Sequence, residues 1–366
     1  MAVEDRQHGE VALAAVLPTG DADWRAGRPA AANPAGERRP PPIYAALDLG
    51  TNNCRLLIAR PAAHGFRVVD AFSRIVRLGE GLASTGRLAD AAMDRAVEAL
   101  KICQAKMSHR SVTRTRLITT EACRAATNGR DFVRRVNAEA GLALEIVDQR
   151  TEAVLAVSGC AALADPAAHG VIVFDIGGGS TEIAWMGGRA TGRDPAERIR
   201  EWASLPVGVV TVAERYGGVD VDRALFERMV DDCTAILAPF VRRARGATAA
   251  RGFHLLGTSG TVTTVAGIHL ELPRYDRRAV DGLWMRQEEV AAVIDRLIGM
   301  DYDARAANAC IGRERADLVL AGCAIFEAIR RAFPSERVRI ADRGLREGML
   351  LRMMHEDRAW WRRSRA

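Results

Sequence analysis

Residues 171–185 read VIVFDIGGGSTEIAW. An apolar run enters, three consecutive glycines interrupt it, and an alternating run leaves. Runs of this length bounded by glycine predict a strand–loop–strand hairpin. A loop without Cβ atoms lets several backbone N–H groups converge on one anion. The same glycines would also serve a plain hairpin turn that needs positive φ. Two familiar phosphate loops are excluded by the neighbours. A P-loop requires GxxxxGK[ST], and no lysine lies near. A dinucleotide-binding GxGxxG opens a helix, whereas here the strand EIAWM follows.

The pattern has an earlier copy. AALDLGTNNCRLLIA (45–59) aligns with VIVFDIGGGSTEIAW so that Asp48 matches Asp175 and Gly50 matches Gly177, 127 residues apart. Each copy opens a series of strand, Asp-x-Gly turn, strand and third strand, followed by alternating helices and strands. In the first half the strands are expected at 43–49, 54–60, 66–78, 115–122 and 142–147, with helices near 90–108, 131–140 and 151–164. In the second they are expected at 171–176, 181–186, 201–208, 253–256 and 337–341. The second-half helices are expected near 222–245, 261–270, 287–299, 314–332 and 345–355. The repeat predicts two similarly built α/β domains, residues 43–168 and 169–357, facing one another across a cleft. Two hairpin loops in equivalent positions could then clamp one phosphate chain between them. A third loop, LLGTSGTV (255–262), runs from strand to helix, and its exposed helical amides suit another anion. An ordinary helix cap by Thr258 or Ser259 is the alternative use of that loop.

Bulk properties bound the remaining choices. At 366 residues, with 48% hydrophobic and 27% charged residues, the chain fits an ordinary two-domain globular protein. Residues 1–42 are rich in Ala, Pro and Arg and end in ERRPPP, a composition expected of a disordered tail. Within it, VALAAVL (11–17) is preceded by Glu4, Asp5 and Glu10, the wrong charge for a signal peptide. With no apolar run long enough to cross a membrane, the expected location is the cytoplasm. RAWWRRSRA (358–366) is expected to be a solvated basic tail. The seven cysteines are scattered without CxxC spacing and read as buried thiols. Only Lys101 and Lys106 are lysines, so arginine carries nearly all of the 52 positive charges. Genomic codon bias accounts for that, and so does a polyanionic ligand, since arginine forks match phosphate oxygens. No basic block carries interleaved aromatics, so nucleic acid is not an expected partner.

Asp-x-Gly-Thr-Asn at 48–52, DIGGGSTE at 175–182 and GTSGT at 257–261 are arranged as in the actin/sugar-kinase/chaperone ATPase superfamily. More narrowly, the chain resembles the exopolyphosphatase/guanosine pentaphosphate phosphohydrolase family. RLGEGLASTGRLAD (77–90), TTEACRAATN (119–128), SLPVGVV (204–210), RERADLVLAG (313–322) and GLREGML (344–350) carry that resemblance in order, from about Ile43 to about Met354. It implies two ribonuclease H-like (actin-like) domains around an interdomain cleft. The implied reaction is Mg²⁺-dependent release of the terminal phosphate of inorganic polyphosphate or guanosine pentaphosphate, with a homodimer as the family's common form. By position it implies Glu152 as general base and Arg124 as a phosphate-gripping arginine. Asp48, Asp175 and Glu182 are implied as the acidic residues around Mg²⁺. Thr51, Asn52, Gly177, Gly178, Gly179, Ser180 and Thr181 are implied to cradle the chain, with Ser259 and Gly260 in the third loop. These roles suit phosphoryl transfer, which needs charge neutralisation, in-line placement and an oriented nucleophile. Around the base the resembled family commonly shows Ser-Gly, one variable residue, then Glu-Glu-Ala, whereas this chain keeps the second glutamate as Glu152 but has Thr151 for the first and Gln149 for the glycine. That departure motivates a second reading, a regulator that binds (p)ppGpp or polyphosphate with little turnover. A sugar- or acetate-kinase-like transferase shares the superfamily loops but not the segments around Arg124 and 344–350.

Overall fold

The computed structural model describes residues 12–14, 42–63, 65–187 and 194–359. The first half supplies strands β1 (Ala12–Ala14), β2 (Tyr44–Leu49), β3 (Asn53–Ala62), β4 (Gly65–Ile75), β5 (Arg114–Thr119) and β6 (Glu145–Ile146). Its helices are α1 (Leu82–Thr85), α2 (Asp90–His109), α3 (Glu121–Ala125), α4 (Gly129–Ala140) and α5 (Gln149–Cys160). The second half supplies β7 (Gly170–Ile176), β8 (Thr181–Gly187), β9 (Ile199–Leu205), β10 (His254–Thr258), β11 (Trp284–Arg286) and β12 (Arg337–Ala341). Helices α6 (Val209–Tyr216), α7 (Arg223–Arg243), α8 (Gly260–His269) and α9 (Arg277–Val280) accompany them. So do α10 (Gln287–Ile298), α11 (Tyr302–Ala307), α12 (Val319–Ala332) and α13 (Leu345–Glu356).

The two sheets have the orders β1-β4-β3-β2-β5-β6 and β11-β12-β10-β7-β8-β9. Reading the second backwards gives β9-β8-β7-β10-β12, which repeats β4-β3-β2-β5-β6 strand for strand. In each, a three-stranded antiparallel meander is extended by a parallel strand beside its first member, β5 on β2 and β10 on β7. This is the paired α/β architecture expected from the repeat, in the actin-like form that the resemblance implies. The extra strands differ: β1 caps the β4 edge and β11 the β12 edge.

Strand β1 departs from the expected tail. Part of the apolar run VALAAVL pairs with Gly65–Arg67 at the exposed edge, where unpaired backbone groups accept another strand. The rest of residues 1–41 lies outside the described residues, as do 360–366 of the basic tail, while Ala359 is buried. Helix α6 and strand β11 were not anticipated, because eight- and three-residue elements carry too little periodicity to be read. The helix expected near 314–332 begins at Val319, after a series of turns over 308–318.

Helices α2 and α4 cover one face of the first sheet, burying Val97, Leu100, Phe132 and Val136 against Leu47, Leu49 and Leu56. Helices α7, α8, α10 and α12 cover one face of the second, around Phe174, Phe226, Phe240 and Phe326. Two helices fill the space between the sheets, and α13 crosses the chain order. The strands of the two sheets divide between Ile146 and Gly170, but α13, which follows β12, returns to the first sheet. There Leu350, Met353 and Met354 pack with Tyr44, Ala46 and Leu57. Helix α5 presents Val157 and Cys160 to Val171, Val173 and Ala184 of the second sheet. The two helices meet through glycine. A Cβ at Gly348 would lie 2.2 Å from the Leu155 carbonyl oxygen, and one at Gly159 2.0 Å from that of Gly344. This close crossing fixes the base of the cleft.

Candidate active site

The turns that end β2 and β7 bring the two repeat copies face to face. Asp48 stands opposite Arg55 on β3, and Asp175 stands opposite Glu182 on β8. The tips touch: a Cβ on Gly178 would sit 2.9 Å from Thr51 Cβ, and one on Gly179 2.9 Å from Thr51 Oγ1. Here the structure corrects an expectation. The hairpins do not enclose a chain between their tips, because those tips are in contact. The cavity they both line lies to one side, toward the α8 N-terminus, and is an open cleft of about 980 Å³, its mouth to solvent included.

Its floor is rich in uncommitted amides. The N–H groups of Thr51, Asn52, Gly178, Gly179, Ser180 and Gly260 meet no acceptor among the described residues. Gly177 N–H closes its own turn onto Ser180 O at 2.9 Å, and Val209 and Val210 N–H donate to Gly177 and Gly178 carbonyls. The loop is therefore held from behind with its remaining donors free, which suits an anion. Ser259 joins β10 to α8 with φ 133°, a rare conformation for a residue with a side chain, and its Oγ accepts Val262 N–H. That geometry leaves the first amides of α8 open to the cavity.

Among the hydroxyls, Ser180 lines the cavity and donates to Glu182 Oε1 at 2.9 Å. Thr181 does not serve as expected. Its Oγ1 donates to the Val207 carbonyl at 2.6 Å and the residue is wholly buried. As the first residue of β8 it alternates away from the cleft, the period-two consequence of following Ser180 into a strand.

Four carboxylates gather here. Asp48, Glu152, Asp175 and Glu182 all line the cavity, with Glu152 and Glu182 only 5% and 4% exposed. Burial, then mutual repulsion, disfavours their charged forms. Asp175 is pushed up to about 6 by burial against the pull of Arg55. Glu182 is pushed to about 7 by burial and Asp175. Glu152 is pushed to about 9 by burial and Glu182, against the pull of Arg124. Asp48 is also raised, again by burial. An unfolded chain ionises these groups near pH 4. Each therefore contributes stability below that pH that is lost as pH rises through the folded value. Without divalent cation the melting temperature is expected to fall steadily between pH 5 and 9. A flat profile in a calorimetric pH series would contradict this electrostatic picture.

Helix α5 aims Glu152 at the cavity. Asp148 caps it, its side chain accepting Thr151 N–H at 2.7 Å, so Glu152 falls in the first turn. Gln149 and Arg150 face solvent, so the unusual residues before the base leave an ordinary capped turn. Arg124 donates to Glu152 Oε2 at 3.1 Å, to the Val147 carbonyl at 2.7 Å and to Glu121 Oε2 at 2.5 Å. The structure thus places Arg124 on the glutamate itself, outside the residues that line the cavity.

The donor set bears on a metal. Asp48 Oδ1 is buried without any hydrogen-bond partner, as are Asn52 Oδ1 and Asn53 Oδ1. Orphaned oxygens of this kind suit a hard cation. Glu182 instead has Oε1 filled by both Ser180 and Ser204 hydroxyls at 2.9 Å. Among the described residues no three acidic, histidine or cysteine side chains converge closely enough to hold a metal by themselves. The residues fit a cation held by Asp48 and Asp175 with water and ligand oxygens, not one gripped by all three carboxylates.

Two cavity arginines, Arg55 and Arg315, were missed. A Cβ on Gly260 would lie 3.9 Å from Nη of each, so both guanidinia flank the α8 N-terminus. The repeat offset that pairs Asp48 with Asp175 pairs Arg55 with Glu182, a signal that could have found it. Arg315 lies in RERADLVLAG, where nothing in the residues themselves marked one arginine among several.

Paired α/β sheets with glycine hairpins at an acid-lined cleft present open amides and carboxylates of the kind that suit a phosphoryl group. The chain belongs to the Ppx/GppA phosphatase family, whose model matches residues 57–357. It is similar to the solved PPX-GPPA enzyme of Aquifex aeolicus, with 27% identity, 86% of this chain and 100% of that chain covered, and a TM-score of 0.69. An exopolyphosphatase-like protein matches at 27% identity and TM-score 0.74, covering 86% of this chain and 99% of its own. An exopolyphosphatase from Cytophaga hutchinsonii, 22% identical, shares the fold at TM-score 0.76 over 86% of this chain and 98% of its own. Family and neighbours support a phosphohydrolase. No helix among the described residues is long and apolar enough to cross a membrane.

Proposed function

We propose that this cleft hydrolyses the terminal phosphoanhydride of inorganic polyphosphate or guanosine pentaphosphate. The observation that carries the reading is the opposition of Glu152, buried and held by Arg124, to a cavity floor of uncommitted amides. The amides of the 51–52 and 178–180 loops and of Gly260, with Arg55 and Arg315, would hold phosphate oxygens where charge develops. Mg²⁺ on Asp48 and Asp175 would neutralise phosphate charge, and also lower the repulsion that keeps Glu152 protonated. Glu152 would accept a proton from the attacking water, Arg124 fixing the carboxylate's orientation. Ser180 and Ser204 would fix the orientation of Glu182 beside the hairpin, their hydroxyls partly opposing the burial that raises it. The ordinary capped turn at Asp148–Thr151 favours turnover over the binding-only regulator.

The experiment is phosphate release with Mg²⁺, side by side on polyphosphates of several lengths and on guanosine pentaphosphate. Release from at least one is expected, falling at least about 10-fold when Mg²⁺ is chelated. Tight binding with no phosphate released over hours would replace the enzyme with the regulator.

A further inference from the structure

The cleft is spanned at its rim by a clasp. Arg77, in the turn after β4, donates from Nη1 to Asp317 Oδ2 at 2.9 Å and from Nη2 to Asp317 Oδ1 at 3.1 Å. Its Nη2 also donates to the Glu314 carbonyl at 3.2 Å. The contacts to Asp317 join residues 240 positions apart, one on each half of the molecule. Such a two-point fork fixes angle as well as distance, which a single contact does not. A second link lies nearby, where Gly81 N–H donates to Glu214 Oε1 at 2.8 Å.

Both ends of the clasp are tied directly to the cavity. On the first half, Val76 and Arg77 N–H both donate to the Asn52 carbonyl, at 2.9 and 3.0 Å. Gly79 N–H donates to the Thr51 carbonyl at 2.9 Å. The backbone of the first hairpin tip thus hangs on the same turn that carries the Arg77 side chain. On the second half, Asp317 stands two residues from Arg315, and the Arg315 carbonyl accepts Leu318 and Val319 N–H. Arg77 itself has φ 47°, in the left-handed region that a residue with a side chain rarely adopts. Strain of this kind persists where surrounding structure imposes it, often beside a site. The side chains of Arg77 and Asp317 are 35% and 23% exposed, so the pair is too wet to be a major prop of the fold.

We propose that Arg77 is a positioning residue: through Asp317 and the Glu314 carbonyl it sets the distance between the 51–52 amides and Arg315. Both then meet one phosphate chain at the same time. The consequence falls on substrate capture more than on the chemical step, because Glu152 and Arg124 lie outside the clasp. This inference rests on the proposed phosphate-chain hydrolysis.

The test is steady-state phosphate release by the full chain. Arg77→Ala and Asp317→Asn are each expected to raise KM about 10-fold with kcat within about 3-fold and melting temperature nearly unchanged. Arg77→Asp should be worse than Arg77→Ala, since it sets two carboxylates together. The charge-exchanged double variant Arg77→Asp/Asp317→Arg should recover KM to within about 3-fold of wild type. An unchanged KM in both single variants, or a double variant no better than its singles combined, overturns the proposal. Wild-type protein that releases no phosphate overturns the hydrolase reading instead, so the two failures are distinct.

Discussion

Replacing Glu152 with Gln is expected to lower kcat for phosphate release by about 10³-fold while raising the melting temperature. A positioned general base contributes roughly 10²–10⁴-fold. The glutamine is nearly isosteric and its carbonyl oxygen can still accept from Arg124, so the cavity should keep its shape. The gain in stability has a separate origin. Glu152 is pushed up to about 9 by burial and by Glu182, so the folded protein must carry it against its tendency to ionise. The uncharged variant escapes that cost. The stability difference should be small near pH 5 and grow toward pH 9, reaching at least about 2 °C at pH 8. A loss of activity accompanied by lower stability would signal damage to α5 instead. Activity close to wild type would remove Glu152 from its role.

Asp175→Asn carries the second large effect, a fall in kcat/KM of about 10²-fold or more. Asp175 lies near the end of β7, partly buried, with Gly344 and Thr258 beside it and Arg55 also lining the cavity. It is the charge that, with Asp48, would hold Mg²⁺, and losing one carboxylate of a pair sharply weakens a hard cation. Binding of Mg²⁺ to the folded chain alone raises its melting temperature in proportion to the logarithm of cation concentration. Wild type should show that rise, and Asp175→Asn should lose it while being more stable than wild type in chelator. A variant that keeps the full cation-dependent shift would move the cation to other oxygens.

Much of the architecture was legible because the repeat is legible. Asp48 and Asp175 mark equivalent strand ends, and two sheets with matching strand order follow from two copies of one strand series. The hairpin loops, the third loop at Ser259–Gly260 and the helix carrying Glu152 were all found from local patterns. What escaped was set by tertiary packing. Helix α13 looks like any other terminal helix in sequence, yet Gly348 and Gly159 allow it to cross α5 and return to the first sheet. Thr181 and Ser180 are equally polar neighbours, and only strand alternation decides that one faces Val207 and the other the cavity. Arg124 could not be told from a phosphate ligand without knowing that Glu152 and Glu121 both lie within its reach. Arg315 and Asp317 gain their meaning from contacts across the cleft, which no local pattern encodes.

In the proposed reaction, water positioned by Glu152 attacks a phosphoanhydride held in this cleft. Phosphate release run in ¹⁸O-enriched water with Mg²⁺ tests it most directly, with mass analysis of the inorganic phosphate. One solvent oxygen is expected in each phosphate released by wild type, and almost no release by Glu152→Gln. Unlabelled phosphate, or labelled phosphate formed equally fast by the variant, would contradict it.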